Sequence, residues 1–228
     1  MTDEQKIIWH CLADADAVVE NAADRILAAA KEAIVRHGRF RIVLAGGRTP
    51  EAAYRLLANA NADWRRWHIY FGDERCLPPA HRERNSTMAA RIWLDHVAIP
   101  RRQIHVIPAE LGPAEGARRY TDEIVGVLPF DLVILGLGED GHTASLFPGH
   151  RPLMDRLVVP VTNAPKPPAE RVSLSSFSLG QAEQVLVLVT GMEKHGAIQD
   201  WKAGRQLPIS DIMPKNPLHV LLDDLAGT

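Results

Sequence analysis

Asp131-Leu-Val-Ile-Leu-Gly-Leu-Gly-Glu-Asp-Gly-His142-Thr-Ala-Ser-Leu-Phe-Pro-Gly149 begins as a strand and breaks into glycines, acids and a histidine. Residues 132–135 form an uninterrupted apolar run, the pattern of a strand buried on both faces of a parallel sheet. In such sheets ligands bind in the loops beyond the carboxyl ends of the strands. Glu139, Asp140 and His142 add nothing to a core, so this loop is the first place to look for chemistry.

Gly136, Gly138 and Gly141 also spell the dinucleotide fingerprint GxGxxG, which requires a long helix opening at the third glycine. Here Pro148 and Gly149 follow within two turns, so only a short helical turn fits, with Ser145 inside it. Glu139 and Asp140 would stand where a pyrophosphate belongs and repel it. The match is read as a turn, not as a nucleotide site.

Working outward, apolar spacing predicts helices over 14–37, 50–60, 86–97, 114–128 and 193–203. Strands are predicted over 40–45, 68–72, 104–107, 130–135, 157–161, 171–175, 185–190 and 218–222. Strands alternating with helices at this spacing argue an α/β fold with a mostly parallel sheet and helices on both faces. No linker marks a boundary, so residues 1–228 read as a single domain. The proline-rich stretch Asn163-Ala-Pro-Lys-Pro-Pro-Ala-Glu170 reads as a loop that could serve as a flap.

The net charge of −2 gives no bulk attraction to nucleic acid or to an anionic membrane. No apolar run approaches the ~20 residues of a membrane span. The polar start Met-Thr-Asp-Glu-Gln-Lys lacks a signal-peptide core, which points to the cytoplasm. Cys11 and Cys76 form no CxxC motif or disulfide framework, and both are expected to be inert thiols. Zinc-type His/Cys spacings and calcium loops are absent, so no metal is expected. Oligomeric state stays open between a monomer and a small homo-oligomer.

Two further loops follow predicted strands. In Leu44-Ala-Gly-Gly-Arg-Thr-Pro50, Thr49 is a candidate N-cap and Pro50 a favoured first helical residue. Gly46 and Gly47 let backbone approach a ligand, the helix start favours an anion such as phosphate, and Arg48 adds a forked cation. The loop lacks the Gly-Lys-Ser/Thr ending of a P-loop. In Phe71-Gly-Asp-Glu-Arg-Cys-Leu-Pro-Pro79, read as a polar loop, Arg75 is suited to holding a carbonyl or lactone oxygen as it gains negative charge. His142 is the best general-base candidate, because imidazole titrates near neutral pH. A serine nucleophile at Ser145 would lack a Gly-x-Ser-x-Gly elbow. Arg171 and Lys194, the latter in the first turn of the helix after Thr190-Gly191, are further cations that could reach a phosphate.

Taken together, LAGGRTPEAAYRLL, FGDERCLPP with HRERNS, DLVILGLGEDGHTASLFPGH, PKPPAERVSLS and VLVLVTGMEKH resemble the 6-phosphogluconolactonases. These are relatives of glucosamine-6-phosphate deaminase with a Rossmann-like sheet. The resemblance implies hydrolysis of 6-phospho-D-glucono-1,5-lactone to 6-phospho-D-gluconate in the oxidative pentose phosphate pathway, with no metal or organic cofactor. It implies that His142 activates water and that Asp140 orients its loop. Arg75 and backbone N–H groups near Gly46 and Gly47 would steady the oxyanion. Arg48, Thr49, Arg171 and Lys194 would contact phosphate and substrate, and Asp73 would bind sugar hydroxyls. The chain departs from a common pattern of related sugar-phosphate proteins, which carry serine where Arg48 stands.

Two rival readings share the sugar phosphate. The deaminases resembled here carry a pattern like Asp-Gly-His-Ile-Ala-Phe-Asn-Glu-Pro, whose glutamate this chain lacks, since it reads Thr143-Ala-Ser-Leu-Phe-Pro148 after the histidine. A non-catalytic sugar-phosphate sensor would need the phosphate contacts but not His142, and there is no room for a helix-turn-helix before Phe40.

Overall fold

The computed structural model describes residues 5–149 and 155–227. The first four residues of the polar N-terminus and His150 of the family-like block lie outside them. The chain runs β1 (Ile7–Leu12), α1 (Ala15–His37), β2 (Phe40–Leu44), α2 (Arg48–Leu57), β3 (Trp67–Phe71), β4 (Asp73–Arg75), α3 (Asn85–Ala89), α4 (Pro113–Ile124), β5 (Phe130–Gly136), β6 (Val158–Val161), β7 (Arg171–Leu174), α5 (Ser176–Gly180), β8 (Ala182–Val189), α6 (His195–Lys202), β9 (Leu218–Asp223) and α7 (Asp224–Gly227).

Six strands form a sheet in the order β1-β9-β8-β5-β2-β3, and every pairing in it is parallel. Phe130 to Leu135 are buried without interruption, as expected of a central strand covered on both faces. From the pair β2–β5 the chain winds outward in both directions, so a crevice opens where these two strands end. One side of the core is closed by α1, whose Val18, Ala22, Ile26 and Ala30 are buried at helical spacing. The Asp14 side chain accepts from Ala17 N at 2.8 Å to start this helix, and Gly38 N donates to Ile34 O to end it.

Asp131, the first residue of the deciding stretch to be buried, works at the opposite edge of the sheet. Its carboxylate accepts from Arg41 N at 2.8 Å, from Arg36 at 3.2 Å and contacts His37 Nε2 at 2.7 Å. It therefore ties the end of α1 to β2 and β5 and has no part in the crevice.

Several expectations change. The strands over 157–161 and 171–175 form not the main sheet but a separate antiparallel one, β4-β7-β6. Its third member, β4, comes from the stretch read as a polar loop: Asp73, Glu74 and Arg75 pair with Ser173, Val172 and Arg171. The stretch 104–107 contributes only an isolated bridge, Ile104 to Ile69. β1 was not anticipated, because Ile-Ile-Trp-His-Cys-Leu alternates poorly; it is an edge strand with half-buried and exposed residues. The helix over 86–97 runs as α3 straight into a π-helical turn, Ala90–Leu94. Residues 143–149 form no helix. Thr143 and Leu146 instead form an antiparallel bridge, and Ser145 sits in that tight turn.

Candidate active site

A cavity of about 410 Å³ lies at the carboxyl edge of the sheet, walled by the loops after β2, β3, β5 and β8. Nine of the ten residues singled out from sequence line it: Gly46, Gly47, Arg48, Thr49, Asp73, Arg75, His142, Arg171 and Lys194. The tenth, Asp140, stands behind His142.

One end of the cavity is the start of α2. The helix begins two residues earlier than expected, with Gly47 as N-cap and Arg48 first, so Thr49 is not the cap. Pro50 is tolerated at the third position because N–H groups of the first turn have no intrahelical acceptor anyway. Thr49 Oγ1 instead bonds Thr190 Oγ1 at 2.6 Å, joining the helix start to the end of β8. Arg48 is almost fully exposed and pairs with Glu193 at 2.9 Å across the rim. Lys194 is the residue capping α6 after a 3-10 turn, Met192–Lys194, rather than a first-turn residue. Tyr54 on α2 holds the preceding loop by bonding Ala45 N and O through its hydroxyl.

The floor beside this helix start is built by β4. Asp73 is buried; its Oδ1 accepts from Asn85 Nδ2 at 2.9 Å and its Oδ2 from Ser145 Oγ at 2.6 Å. Ser145, fully buried and donating to a carboxylate, has neither the exposure nor the basic partner of a nucleophile. Gly46 passes so close to Asn85 that a Cβ there would lie 2.1 Å from its Oδ1, so only glycine fits. The Arg75 guanidinium donates through Nη1 to Glu83 O, and its Nε is a buried donor without a hydrogen-bond partner. Cys76 beside it is half-buried, and burial with Glu170 nearby pushes its thiol up to about 11, which fits the expected inert thiol.

The other end is the turn after β5. His142 Nδ1 bonds Asp140 Oδ1, and the same carboxylate accepts from His142 N at 3.2 Å. Gly138 N donates to His142 O at 2.7 Å, and Thr143 Oγ1 donates to Gly136 O, so the turn is pinned at both ends. A Cβ on Gly138 would fall 1.9 Å from His142 Nδ1; the glycine is what lets the imidazole lie there. The carboxylate fixes the proton on Nδ1, and Nε2 makes no hydrogen bond among the described residues. Burial opposes the charge on Asp140, but the His142 hydrogen bond and charge outweigh it and hold the carboxyl below the usual aspartate range. The imidazole packs on Phe147, with ring centres 4.8 Å apart.

Arg171 is buried, and burial lowers its pKa against the pull of Asp73, although a guanidinium stays charged. Its donors reach Pro168 O at 3.0 Å, Lys166 O at 2.8 Å and Pro167 O at 3.4 Å, so it clasps the proline-rich loop. Sequence reasoning passed over Asn85, Thr190, Glu193 and Lys166, all of which line the cavity. All four lay within the quoted segments HRERNS, PKPPAERVSLS and VLVLVTGMEKH, but no spacing rule marks them. Among the described residues no group of three or more His, Cys, Asp or Glu is arranged to hold a metal ion. None of their helices is long and apolar enough to cross a membrane.

Residues 13–221 match the family described as glucosamine-6-phosphate isomerases/6-phosphogluconolactonase. A 6-phosphogluconolactonase of Synechocystis sp. is 36% identical over 92% of this chain and 92% of its own length. One of Nostoc sp. is 35% identical over 95% of each. The crystal structure of 6-phosphogluconolactonase from Thermotoga maritima superposes with a TM-score of 0.90, at 28% identity, covering 96% of this chain and all of that one. The parallel sheet, the crevice at its carboxyl edge and these likenesses agree: the chain belongs to the glucosamine-6-phosphate isomerase/6-phosphogluconolactonase family.

Proposed function

We propose that this chain, working as one domain, hydrolyses 6-phospho-D-glucono-1,5-lactone to 6-phospho-D-gluconate in the oxidative pentose phosphate pathway. The observation that carries the reading is His142. Its Nδ1 is engaged by Asp140, its Nε2 makes no hydrogen bond among the described residues, and it lines the same cavity as Arg75 and the start of α2.

The phosphate lies at the start of α2, on the first-turn N–H groups and the Thr49 hydroxyl, with Arg48 and Lys194 alongside. Arg48 leaves Glu193 to meet it. Asp73, with Asn85 and Ser145 holding its orientation, accepts from sugar hydroxyls. Arg171 supports that end by fixing the loop over it. His142 Nε2 takes a proton from water, whose oxygen attacks C1 of the lactone. The carbonyl π electrons move to oxygen, and Arg75 with the N–H groups near Gly46 and Gly47 stabilises the oxyanion. Collapse breaks the bond between C1 and the ring oxygen, which takes the proton from the imidazolium; the acid formed then ionises. A δ-lactone is an activated ester, so one base, one oxyanion site and binding energy from the remote phosphate suffice.

His142→Ala tests this. Acid release from lactone made in situ should fall by ~10²–10⁴ in kcat, with KM little changed. A kcat near wild type would remove His142 from the role. No acceleration by the wild type over the spontaneous rate would remove the activity altogether. Deamination of glucosamine 6-phosphate is the rival within the family. Counting from the histidine, Phe147 stands where the deaminase pattern has its glutamate, and this buried ring packs on the imidazole. Proton shuttling between adjacent carbons would lack its second acid, so hydrolysis is the better reading.

A further inference from the structure

The proline-rich loop presents a cation that none of the roles above uses. Lys166 lines the cavity. Its backbone is held firmly, because the buried Arg171 donates to the carbonyls of Lys166, Pro167 and Pro168, and Ala164 N closes the loop on Ala169 O at 3.0 Å. Its side chain is half exposed, with Nζ 3.8 Å from Glu139 Oε1 on the turn that carries His142. The Arg171 guanidinium lies 5.5 Å from the Phe147 ring centre, and Phe147 packs on the imidazole. A fixed backbone thus carries a weakly held ammonium to Glu139, on the turn of the histidine.

We infer that Lys166 binds the C1 end of the substrate: the carbonyl oxygen as it becomes an oxyanion, and the carboxylate of the product. The inference rests on the lactonase reading and adds to it a second cation facing Arg75 across the reacting carbon. Glu139 is its resting partner. At 3.8 Å and in solvent this ion pair is weak, so an anion in the cavity displaces it at little cost. The phosphate is left to the start of α2.

The test compares two inhibitors of lactone hydrolysis by wild type and Lys166→Met. 6-Phosphogluconate carries phosphate and a C1 carboxylate; glucitol 6-phosphate carries phosphate and hydroxyls but no carboxylate. Lys166→Met should weaken 6-phosphogluconate by about tenfold and leave glucitol 6-phosphate unchanged, with kcat reduced and Lys166→Arg recovering part of both. Equal weakening of both inhibitors would overturn the inference by assigning Lys166 to the phosphate or to the general potential. No change in either would overturn it as well. Unaltered thermal unfolding of the variant separates these outcomes from a folding defect. If wild type itself fails to accelerate lactone opening, the lactonase reading falls; if wild type is active and Lys166→Met matches it, only the Lys166 assignment falls.

Discussion

Two pairs of adjacent acids follow the two strands that flank β2: Asp73-Glu74 after β3, and Glu139-Asp140 after β5. The first pair is buried. Glu74 is fully enclosed and accepts from Arg75 N, Asn85 N, Ser86 N and Ser86 Oγ at 2.7–2.9 Å, with Arg84 Nε at 3.5 Å. The second pair stands in a turn, with Glu139 more than half exposed and Asp140 over a third. In each pair one member serves the cavity and the other does not, for opposite reasons. Asp73 and Glu74 lie on a strand, so successive side chains point to opposite faces, one toward the cavity and one into the structure that carries α3. Asp140 and Glu139 are separated by turn geometry, one folding back on His142 and one leaning to the rim. In the buried pair, backbone donors fill the lone pairs of Glu74, whereas Asp73 is held by the side chains of Asn85 and Ser145.

The sharpest way to break this comparison is Glu74→Gln. The amide would turn N–H groups toward donors that now point at a carboxylate, and would leave the buried Arg84 with Glu110, at 2.8 Å, as its remaining carboxylate partner. Buried donors left without an acceptor cost about 1–3 kcal/mol each. Denaturant unfolding should show a loss of that order, with Arg75 and Asn85 displaced and activity reduced as a consequence. A loss below about 1 kcal/mol would mean that the enclosure of Glu74 carries little stability.

Next in size is Asp140→Asn, which acts on the turn. Asp140 is a positioning residue: it touches His142, not substrate. The asparagine can present its amide N–H to Nδ1, stabilising the tautomer in which Nε2 carries the proton and cannot accept one. The expected outcome is a kcat lower by about 10–10²-fold with KM almost unchanged. A purely structural role would move KM or stability instead. The folded-state pKa of Asp140 is lowered, so its pairing contributes stability above the ordinary aspartate pKa of about 3.9, and that contribution disappears as pH falls through the folded value. The stability difference between wild type and Asp140→Asn should therefore be present at neutral pH and vanish in strong acid. A difference that grew in acid would reverse the assigned sign.

The turn was more legible in the sequence than the buried network, for a physical reason. Gly138, Asp140 and His142 act on one another within five residues, and Thr143 bonds back to Gly136, so local order carries their arrangement. The parallel sheet was legible too, because apolar runs such as 130–135 report burial directly. β4 was not: Asp73-Glu74-Arg75 contains no apolar residue, and what makes it a strand is pairing with β7, about a hundred residues away. Reading it as a loop hid the alternation that separates Asp73 from Glu74. It also hid the Asp73–Ser145 bond, which left Ser145 looking like a free hydroxyl. Lys166 escaped because a lysine among prolines has no periodicity, and its place depends on three carbonyls clasped by Arg171.

Glu139→Gln should have the smallest effect, and that smallness is informative. Glu139 is the same residue type as Glu74, but among the described residues its carboxylate meets only Lys166, at 3.8 Å and in solvent. Exposed pairs of this kind contribute roughly 0–1 kcal/mol, so unfolding should shift by less than about 1 kcal/mol and kcat should stay within about twofold. The direction of the remaining effect is specified. Freed from Glu139, Lys166 has no competing anion, so inhibition by 6-phosphogluconate should tighten slightly, and the gain should shrink as salt is raised. A loss of activity as large as that of Asp140→Asn would place Glu139 among the groups that organise His142. The turn would then be a network like that around Glu74, and exposure would cease to separate the two acid pairs.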